Sequence, residues 1–298
     1  MNQNTDSNRK ILIDDVNVIT NGSPEELKYI KEPNAIGKVI NTETNEELCE
    51  ITPLVMIMNQ SSRDVHENSG YDQQKSLVIG NGFMLDKFYP DKADRFNLRK
   101  ILNISESTLV FLHVARWHKD KDHETCIKSL ALFQSQHEID WKIIFVGKGM
   151  NKTNAKLQEL IVGNNLSERC ILLGERPNTK ELYNAADLTL LTSITESFPN
   201  VIGESMSCTT PCISSDVGSV RGLLLNQNWI FPIKDHNQLS MILTKAILLK
   251  SNPEEWLKCK NESRSLIEKK FKIGKIESFS GIKKGIENTN YLIKTNKK

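Results

Sequence analysis

Short apolar segments alternate with longer amphipathic stretches from about residue 108 onward. Several of these segments are apolar almost throughout, which is typical of strands buried on both faces of a sheet. They fall at 109–116, 141–147, 170–174, 188–193, 211–216 and 228–233, and helical stretches follow at 122–137, 152–163, 178–186, 200–208 and 235–250. This order predicts an α/β fold, with a parallel sheet and helices on both faces. Because ligands of such sheets bind beyond the carboxyl ends of the strands, we expect functional residues in the strand-to-helix turns.

The pattern is weaker in the first part of the chain. Strands are predicted at 11–20, 54–59 and 75–79, with a short helix at 61–69. The segment 80–90 has turn residues at both ends and is predicted to be a linker, and 94–102 is predicted to be the helix that enters the second domain. We therefore expect a partial N-terminal domain at 1–85 and a larger C-terminal domain at 86–298.

Composition excludes some classes of protein. The 39 Lys and Arg against 37 Asp and Glu leave a net charge of +2, which is too small to indicate a nucleic-acid partner. Mean hydropathy is −0.40, and no apolar run approaches the ~20 residues of a membrane-spanning helix. The six cysteines form no CxxC pair. We interpret them as small buried side chains in a protein of a reducing compartment. With a polar N-terminus that lacks a signal-peptide core, this predicts a cytoplasmic protein.

The C-terminal tail is basic. From residue 251 it carries 12 Lys and Arg and 6 Asp and Glu, a net charge of +6. The default interpretation is a solvated helical face from about residue 251. The alternative is attraction to an anionic membrane surface, which would place the protein peripherally at the inner face of the membrane.

The segment 195–204, TESFPNVIGE, is the strongest candidate for a binding site. Glu196 follows a predicted strand, Pro199 suits the first turn of a helix, and Glu204 lies about one turn into that helix. Free N–H groups near 198–201 can hold phosphate or sugar oxygens, and a carboxylate can accept two hydrogen bonds from a vicinal diol such as a ribose. The alternative is two acidic residues that are favoured by the helix dipole alone.

The segment 115–123, ARWHKDKDH, is the second candidate. Arg116 ends a predicted strand and Lys121 precedes a helix, so both are expected to project towards the same edge as Glu196. Two cations there suit a diphosphate, whose charge must be neutralised as it leaves. The alternative is a solvated basic turn. Asp120 and Asp122 spell an Asp-x-Asp pattern of the kind that can bind a metal, but Lys121 lies between them and we predict no metal site.

The remaining candidates carry weaker signals. His118 and His123 are predicted to be structural. Gly147 opens the run GKGMNK, which begins like a dinucleotide fingerprint but has Lys152 where the third glycine belongs, so a tight turn near a ligand is predicted instead. Arg176 lies in the turn after 170–174 and either borders a base pocket or is a surface residue. Neither a P-loop nor a GxSxG motif occurs.

Together these motifs resemble the family 4 retaining glycosyltransferases of the GT-B fold, also called glycosyl transferases group 1, which pair two Rossmann-like domains. The resemblance extends from about residue 55 to about residue 271. It rests on an ordered series: Asn59-Gln60-Ser61-Ser62, Gly70-Tyr71, the run from Val78 to Phe83, Phe88 and Pro90, Val114-Ala115-Arg116, Lys121-Asp122-His123, Gly174-Glu175-Arg176-Pro177, the run from Glu196 to Glu204, Met206, Cys208, Pro211 and Ser215-Asp216-Val217-Gly218.

The resemblance implies a role for each site residue. Arg116 and Lys121 would hold the donor diphosphate, and Glu196 would contact the donor sugar; these three are the candidate catalytic residues. Glu204 would bind the ribose. Phe198, Pro199 and Asn200 would lend backbone groups to the sugar and the phosphates, and Gly147 and Arg176 complete the candidate donor-binding set. The family transfers sugars without a metal or other cofactor.

Three departures from the family pattern bear on this expectation. Thr209 and Gly222 stand where the family usually has Gly and Glu, respectively. The region before Asn81 is about half the length of the family's N-terminal domain, and the strand and Gly-rich loop that open that domain are not evident. The expected N-terminal domain is therefore a truncated Rossmann-like domain.

The sequence thus predicts a retaining hexosyltransferase-type enzyme that moves a sugar from a nucleotide-diphosphate donor to a saccharide or lipid-linked acceptor in cell-surface glycan or polysaccharide synthesis. The alternative is a catalytically incomplete fragment or relative that binds nucleotide or partners a full-length glycosyltransferase. An epimerase or phosphorylase of the same fold is a further alternative, whereas a Rossmann oxidoreductase conflicts with the incomplete glycine pattern.

Overall fold

The computed structural model describes residues 82–224 and 226–270 in full, Asp64 and Asn68, and the backbone of six further strands. The chain divides into two compact units, one formed by 1–80 with 275–298 and the other by 81–274. In the first unit, β1 (Gly37–Ile40) pairs antiparallel with β2 (Glu47–Ile51), and β3 (Val55–Ile57) pairs parallel with β4 (Ser76–Val78). The predicted strands at 54–59 and 75–79 are therefore present, whereas the predicted strand at 11–20 and helix at 61–69 lie outside the fully described residues.

The second unit is a six-stranded sheet in which all pairs are parallel, as predicted. Its elements follow in chain order. They are α1 (Lys92–Ile101), β5 (Leu109–Val114), α2 (His123–Gln136), β6 (Trp141–Val146), α3 (Ala155–Gly163), β7 (Cys170–Leu172), α4 (Lys180–Ala185), β8 (Leu188–Leu191), α5 (Asn200–Ser207), β9 (Cys212–Ser215), α6 (Val220–Leu223), β10 (Ile230–Phe231), α7 (His236–Lys250) and α8 (Pro253–Lys270). The strand order is β10-β9-β8-β5-β6-β7. It places the carboxyl ends of β5 and β8 side by side.

The core lies on both faces of this sheet because successive side chains of a strand point to opposite faces. Phe111 and Ile143 belong to a cluster on one face that includes α2 and α7, while Val110, Leu112 and Ile144 belong to a cluster on the other face with α4. All five side chains are fully buried. This two-sided burial explains why the strands read as continuous apolar runs in the sequence.

A buried ion pair between Arg99 and Asp187 links α1 to the residue that precedes β8. The Arg99 guanidinium is 1% exposed and lies 2.9 Å from the Asp187 carboxylate, which also accepts a hydrogen bond from the Val110 amide. Arg99 donates further hydrogen bonds to the carbonyls of Ala185 and Thr108. Because its charge and donors are matched in this way, the side chain can be buried and can hold β5 and β8 in register.

Two expectations about chain organisation need correction. In the part of the tail that the structure describes, α8 is helical as expected, but β11 (Ile276–Ile282) and β12 (Asn290–Thr295) form an antiparallel pair that belongs to the first unit. Isoleucine, threonine and aromatic residues within these two segments favour strand over helix. The segment 80–90, predicted to be a linker, is packed into the second unit from residue 82 onward. Phe83 and Phe88 are buried in the hydrophobic clusters of that unit.

Candidate functional site

The site region is built on two neighbouring turns, one after β5 and one after β8. The turn after β5 contains a short 3-10 helix, Lys119–Lys121, and the Asp120 carbonyl accepts a hydrogen bond of 2.8 Å from the Ile194 amide in the turn after β8. Because β5 and β8 are paired in the sheet, residues separated by more than 70 positions in the sequence are brought together here.

Lys121 and Glu196 form an ion pair between these two turns. The Lys121 ammonium lies 2.5 Å from Glu196 Oε1, and the Ser193 hydroxyl donates to the same oxygen at 2.7 Å. The two charged side chains are 23% and 15% exposed, so each keeps some access to solvent. An ammonium and a carboxylate held this close can meet a phosphate oxygen and a sugar hydroxyl side by side.

Glu204 makes a separate contact. It lies four residues into α5, about 6 Å along the helix axis from Asn200, and its Oε2 accepts a 2.8 Å hydrogen bond from the hydroxyl of Tyr183 on α4. Burial raises the pKa of the Glu204 carboxyl, and the Tyr183 hydrogen bond opposes that shift. The carboxylate is therefore held in one orientation beside the Tyr183 hydroxyl, apart from the contact that Lys121 makes with Glu196.

The first turn of α5 connects these two carboxylates. Pro199 occupies the position before Asn200, which begins the helix, and no side chain caps this end. Pro199 is thus one position earlier than the first helical turn predicted for it. The Phe198 ring stacks on Phe83 at 5.9 Å between centroids, so this side chain anchors the turn while its backbone amide lies at the helix N-terminus.

The remaining predicted residues lie in turns along the same edge of the sheet. Arg116 follows β5 and is exposed, and Arg176 follows β7, two strands away in the sheet, and is also exposed. Gly147 follows β6 with a φ of 141°, and a Cβ there would lie 2.2 Å from the carbonyl oxygen of Ala115. Glycine at this position is required for the close approach of the β6 turn to the turn that carries Arg116.

The Asp-x-Asp pattern divides into two different contacts. The Asp120 carboxylate lies 3.2 Å from His118 Nδ1, whereas Asp122 Oδ1 accepts a hydrogen bond from the Thr125 amide and caps α2. Within the described residues, no group of three or more His, Cys, Asp and Glu side chains is arranged to hold a metal ion. His123 is buried, and its ring packs at a tilt against Trp117 with 4.9 Å between the ring centroids.

The structure describes the surroundings of two residues that depart from the family pattern, Thr209 and Gly222. Thr209 has a φ of 61° just beyond the end of α5. This is the left-handed conformation that glycine adopts most easily, so a β-branched residue is strained there. Gly222 is exposed on α6, and a Cβ there would meet nothing within 4 Å.

Several residues that shape the site were not assigned any role from the sequence. Ser193 and Thr192 were predicted only as the end of a strand, yet Ser193 bonds Glu196 and Thr192 bonds the Lys121 carbonyl. Tyr183 appeared only as part of a predicted helix. The Gly218 Cα lies against the Glu196 carbonyl, where a Cβ would be 2.2 Å away. Gly218 belongs to the last motif of the resemblance, and that motif was the signal from which this close approach could have been found.

Comparison with known proteins assigns the chain to a family. The model of the family described as glycosyl transferases group 1 matches residues 94–265, which is more than half of the chain. This chain belongs to that family, and its second unit carries the sheet and both candidate turns.

Individual relatives agree with this assignment. N-acetyl-alpha-D-glucosaminyl L-malate synthase of Bacillus anthracis is 33% identical over 129 residues, which cover 43% of this chain and 33% of the relative. UDP-Gal:alpha-D-GlcNAc-diphosphoundecaprenol alpha-1,3-galactosyltransferase of Escherichia coli is 29% identical over 181 residues, covering 59% of this chain and 46% of the relative. The chain thus spans about a third to a half of the length of these curated relatives.

A solved structure supports the fold. Anabaena HepE in complex with UDP and glucose superposes with a TM-score of 0.67 at 24% identity, covering 74% of this chain and 60% of that chain. At this identity the likeness is one of fold, and the GT-B class expected from the resemblance is confirmed. Among the helices that the structure describes, none is long and apolar enough to cross a bilayer.

Proposed function

We propose that this chain acts in a retaining glycosyltransferase that moves a sugar from a nucleotide-diphosphate donor to a saccharide or lipid-linked acceptor. The observation that carries the proposal is the Lys121–Glu196 pair at the N-terminal end of α5. The cation is suited to a diphosphate, the carboxylate to sugar hydroxyls, and the uncapped helix start to phosphate oxygens.

In this proposal the chain accelerates transfer by positioning and by charge neutralisation. The bond between the anomeric carbon and the diphosphate breaks, and its electron pair leaves with the diphosphate. Arg116 and Lys121 neutralise the charge that develops on that leaving group. The acceptor hydroxyl oxygen forms the new bond on the same face of the sugar, and its proton passes to the departing diphosphate. Glu196 holds the sugar hydroxyls and Glu204 holds the ribose.

The remaining roles follow from the same donor pose. The turn formed by Phe198, Pro199 and Asn200 would contact the donor through its backbone. The amides of Phe198 and Asn200 would donate to sugar and phosphate oxygens. Gly147 would leave room for the diphosphate beside Arg116, and Arg176 would border the base. The proposal invokes no metal, because the leaving group's charge is met by side chains.

The proposed acceptor rests on one relative and on the charge of the tail. The name of the Escherichia coli relative describes transfer onto a diphosphoundecaprenol-linked sugar, which supports a lipid-linked acceptor. A protein acting on such an acceptor would work at the inner face of the membrane, and the net charge of +6 over residues 251–298 suits an anionic surface.

Nucleotide binding tests the donor site directly. Calorimetry with UDP and GDP should show binding by the wild-type protein. Lys121→Met and Arg116→Ala should each weaken this binding at least tenfold, since each removes a positive side chain that would face the diphosphate. Lys119→Met is the matched control, because Lys119 lies in the same turn and is exposed. Unchanged affinity in both site variants would refute the assignment.

Transfer assays then separate the enzyme from the non-catalytic alternative. The protein is incubated with UDP- and GDP-sugars and a panel of saccharide and lipid-linked acceptors. Turnover with retention of the anomeric configuration would support the proposal. Nucleotide binding without turnover on any acceptor would instead support a nucleotide-binding fragment or partner of a longer transferase.

A further inference from the structure

A buried chain of polar groups lies beneath the turn that carries Lys121. Thr192 follows β8 directly and is fully buried. Its hydroxyl lies 2.9 Å from the Lys121 carbonyl oxygen and 3.1 Å from Nε2 of His113 on β5. A carbonyl only accepts hydrogen bonds, so Thr192 gives its one proton to Lys121. His113 Nε2 must therefore donate to Thr192.

The surroundings of His113 keep its imidazole neutral. The side chain is 1% exposed, and its ring packs against His123 at 4.9 Å and Phe145 at 5.6 Å. Burial lowers the pKa of His113 well below its usual range, and electrostatic interactions with His123 and Lys121 lower it further. A neutral imidazole carries one N–H, and the contact with Thr192 assigns it to Nε2, while Nδ1 is buried without a partner.

The Thr192 hydrogen bond acts on the main chain of Lys121. Next to it, the Ile194 amide bonds the Asp120 carbonyl at 2.8 Å, so two consecutive carbonyls of the turn are held by the segment that follows β8. These bonds fix the position from which the Lys121 side chain reaches Glu196. A lysine side chain is flexible, and an error of about 1 Å in placing a group that contacts the reacting atoms can cost about 100-fold in rate.

We propose that Thr192 and His113 are positioning residues of the donor site. The His113 imidazole orients the Thr192 hydroxyl, and that hydroxyl holds the Lys121 carbonyl so that the ammonium stays beside Glu196, where a donor diphosphate would lie. This inference rests on the proposed function for the identity of the ligand, but the positioning itself concerns contacts within this chain.

A double-mutant cycle on UDP or GDP affinity, whichever the wild-type protein binds, tests the positioning. Thr192→Val keeps the shape and removes the hydroxyl, and it should weaken binding about tenfold, while Thr192→Ser should restore it. In a Lys121→Met background, Thr192→Val should have no further effect, because its effect passes through Lys121. Thr189→Val is the matched control, since the Thr189 hydroxyl bonds Ser205 instead and its loss should leave affinity unchanged.

Other outcomes would overturn the proposal. Unchanged affinity in Thr192→Val, an equal loss in the presence and absence of Lys121, or an equal loss in Thr189→Val would each show that Thr192 contributes only to general stability. Nitrogen NMR of the full chain gives an independent readout: the proposal requires the proton of His113 on Nε2, and a proton on Nδ1 would contradict it.

Failure of the proposed function would look different. If the wild-type protein binds neither UDP nor GDP, the proposed donor site is refuted. The contacts of Thr192 with Lys121 and His113 are not tested by that result. The crystal structure of Thr192→Val would then decide the positioning claim. Loss of the Lys121–Glu196 contact would support it, and an unchanged contact would overturn it.

Discussion

Acidification should destabilise the second unit through His123, which lies buried below the candidate diphosphate turn. Burial, with the nearby Lys121 charge, lowers the pKa of His123 from 6.5 to about 4. The unfolded chain therefore takes up a proton as the pH falls through 6.5, whereas the folded protein does so only near pH 4. Stability from this group is complete above pH 6.5 and is lost as the pH falls towards 4.

The size of the effect follows from these two pKa values. Between pH 7 and pH 5 the folded state should lose about 2 kcal/mol relative to the unfolded state from His123. For a unit of 150–250 residues, this corresponds to a fall of about 4–8 °C in the unfolding midpoint. All four tryptophans of the chain, at 117, 141, 229 and 256, lie in the second unit, so their fluorescence reports its unfolding.

The assay compares thermal midpoints of the wild-type protein and His123→Phe at pH 7 and pH 5. The phenylalanine cannot take up a proton, so the variant should show a pH-dependent shift smaller by about 4–8 °C. His118→Asn serves as the matched control, because it replaces a histidine of the preceding turn whose side chain is 39% exposed and leaves the buried ring of His123 in place. Identical shifts in the wild-type protein and His123→Phe would refute the reasoning.

Three further substitutions test the packing around the site. Gly203→Ala places a Cβ 1.9 Å from Phe83 Cζ, which must move out of a buried position, so denaturant unfolding should show a loss of about 1–3 kcal/mol, and an unaffected protein would contradict the packing. Tyr183→Phe removes the hydrogen bond to Glu204 and should cost about 1–3 kcal/mol in the same assay, with a higher pKa of the Glu204 carboxyl by NMR; an unchanged pKa would exclude the contact. Arg99→Leu removes the buried partner of Asp187 Oδ2 and the donor to the Ala185 and Thr108 carbonyls, while Arg95 stays 3.3 Å from the other Asp187 oxygen. This should cost about 3 kcal/mol in urea unfolding, whereas a loss below about 1 kcal/mol would show that the pair is not buried in solution.

The order of the sheet's elements could be predicted because each strand is buried on both faces. Residues such as Phe111 and Leu112 point to opposite sides and are both fully buried, which produces an apolar run that a sequence reveals. The predicted strands were one to four residues too long, because turn residues such as Gly147 and Ser193 lie beyond the last ladder hydrogen bond. The boundaries of the helices predicted between residues 94 and 250 agreed to within three residues, since polar caps such as Asp122 mark them.

Fewer of the contacts within the site could be predicted from the sequence. That Lys121 and Glu196 approach one edge of the sheet follows from their places after strands, but their direct pairing depends on β5 and β8 being neighbours in a sheet whose strand order the sequence does not encode locally. The Tyr183–Glu204 contact depends on how α4 packs on α5. The Thr192–His113 contact joins two residues that a strand pattern treats as ordinary buried positions.

A crystal structure of the protein with a bound nucleoside diphosphate is the most direct test of the central claim. The account predicts that the diphosphate lies against the N-terminus of α5, within hydrogen-bond distance of Lys121 and Arg116, with the ribose hydroxyls on the Glu204 carboxylate. A nucleotide bound elsewhere on the second unit, with Lys121 and Glu204 both out of contact, would contradict it.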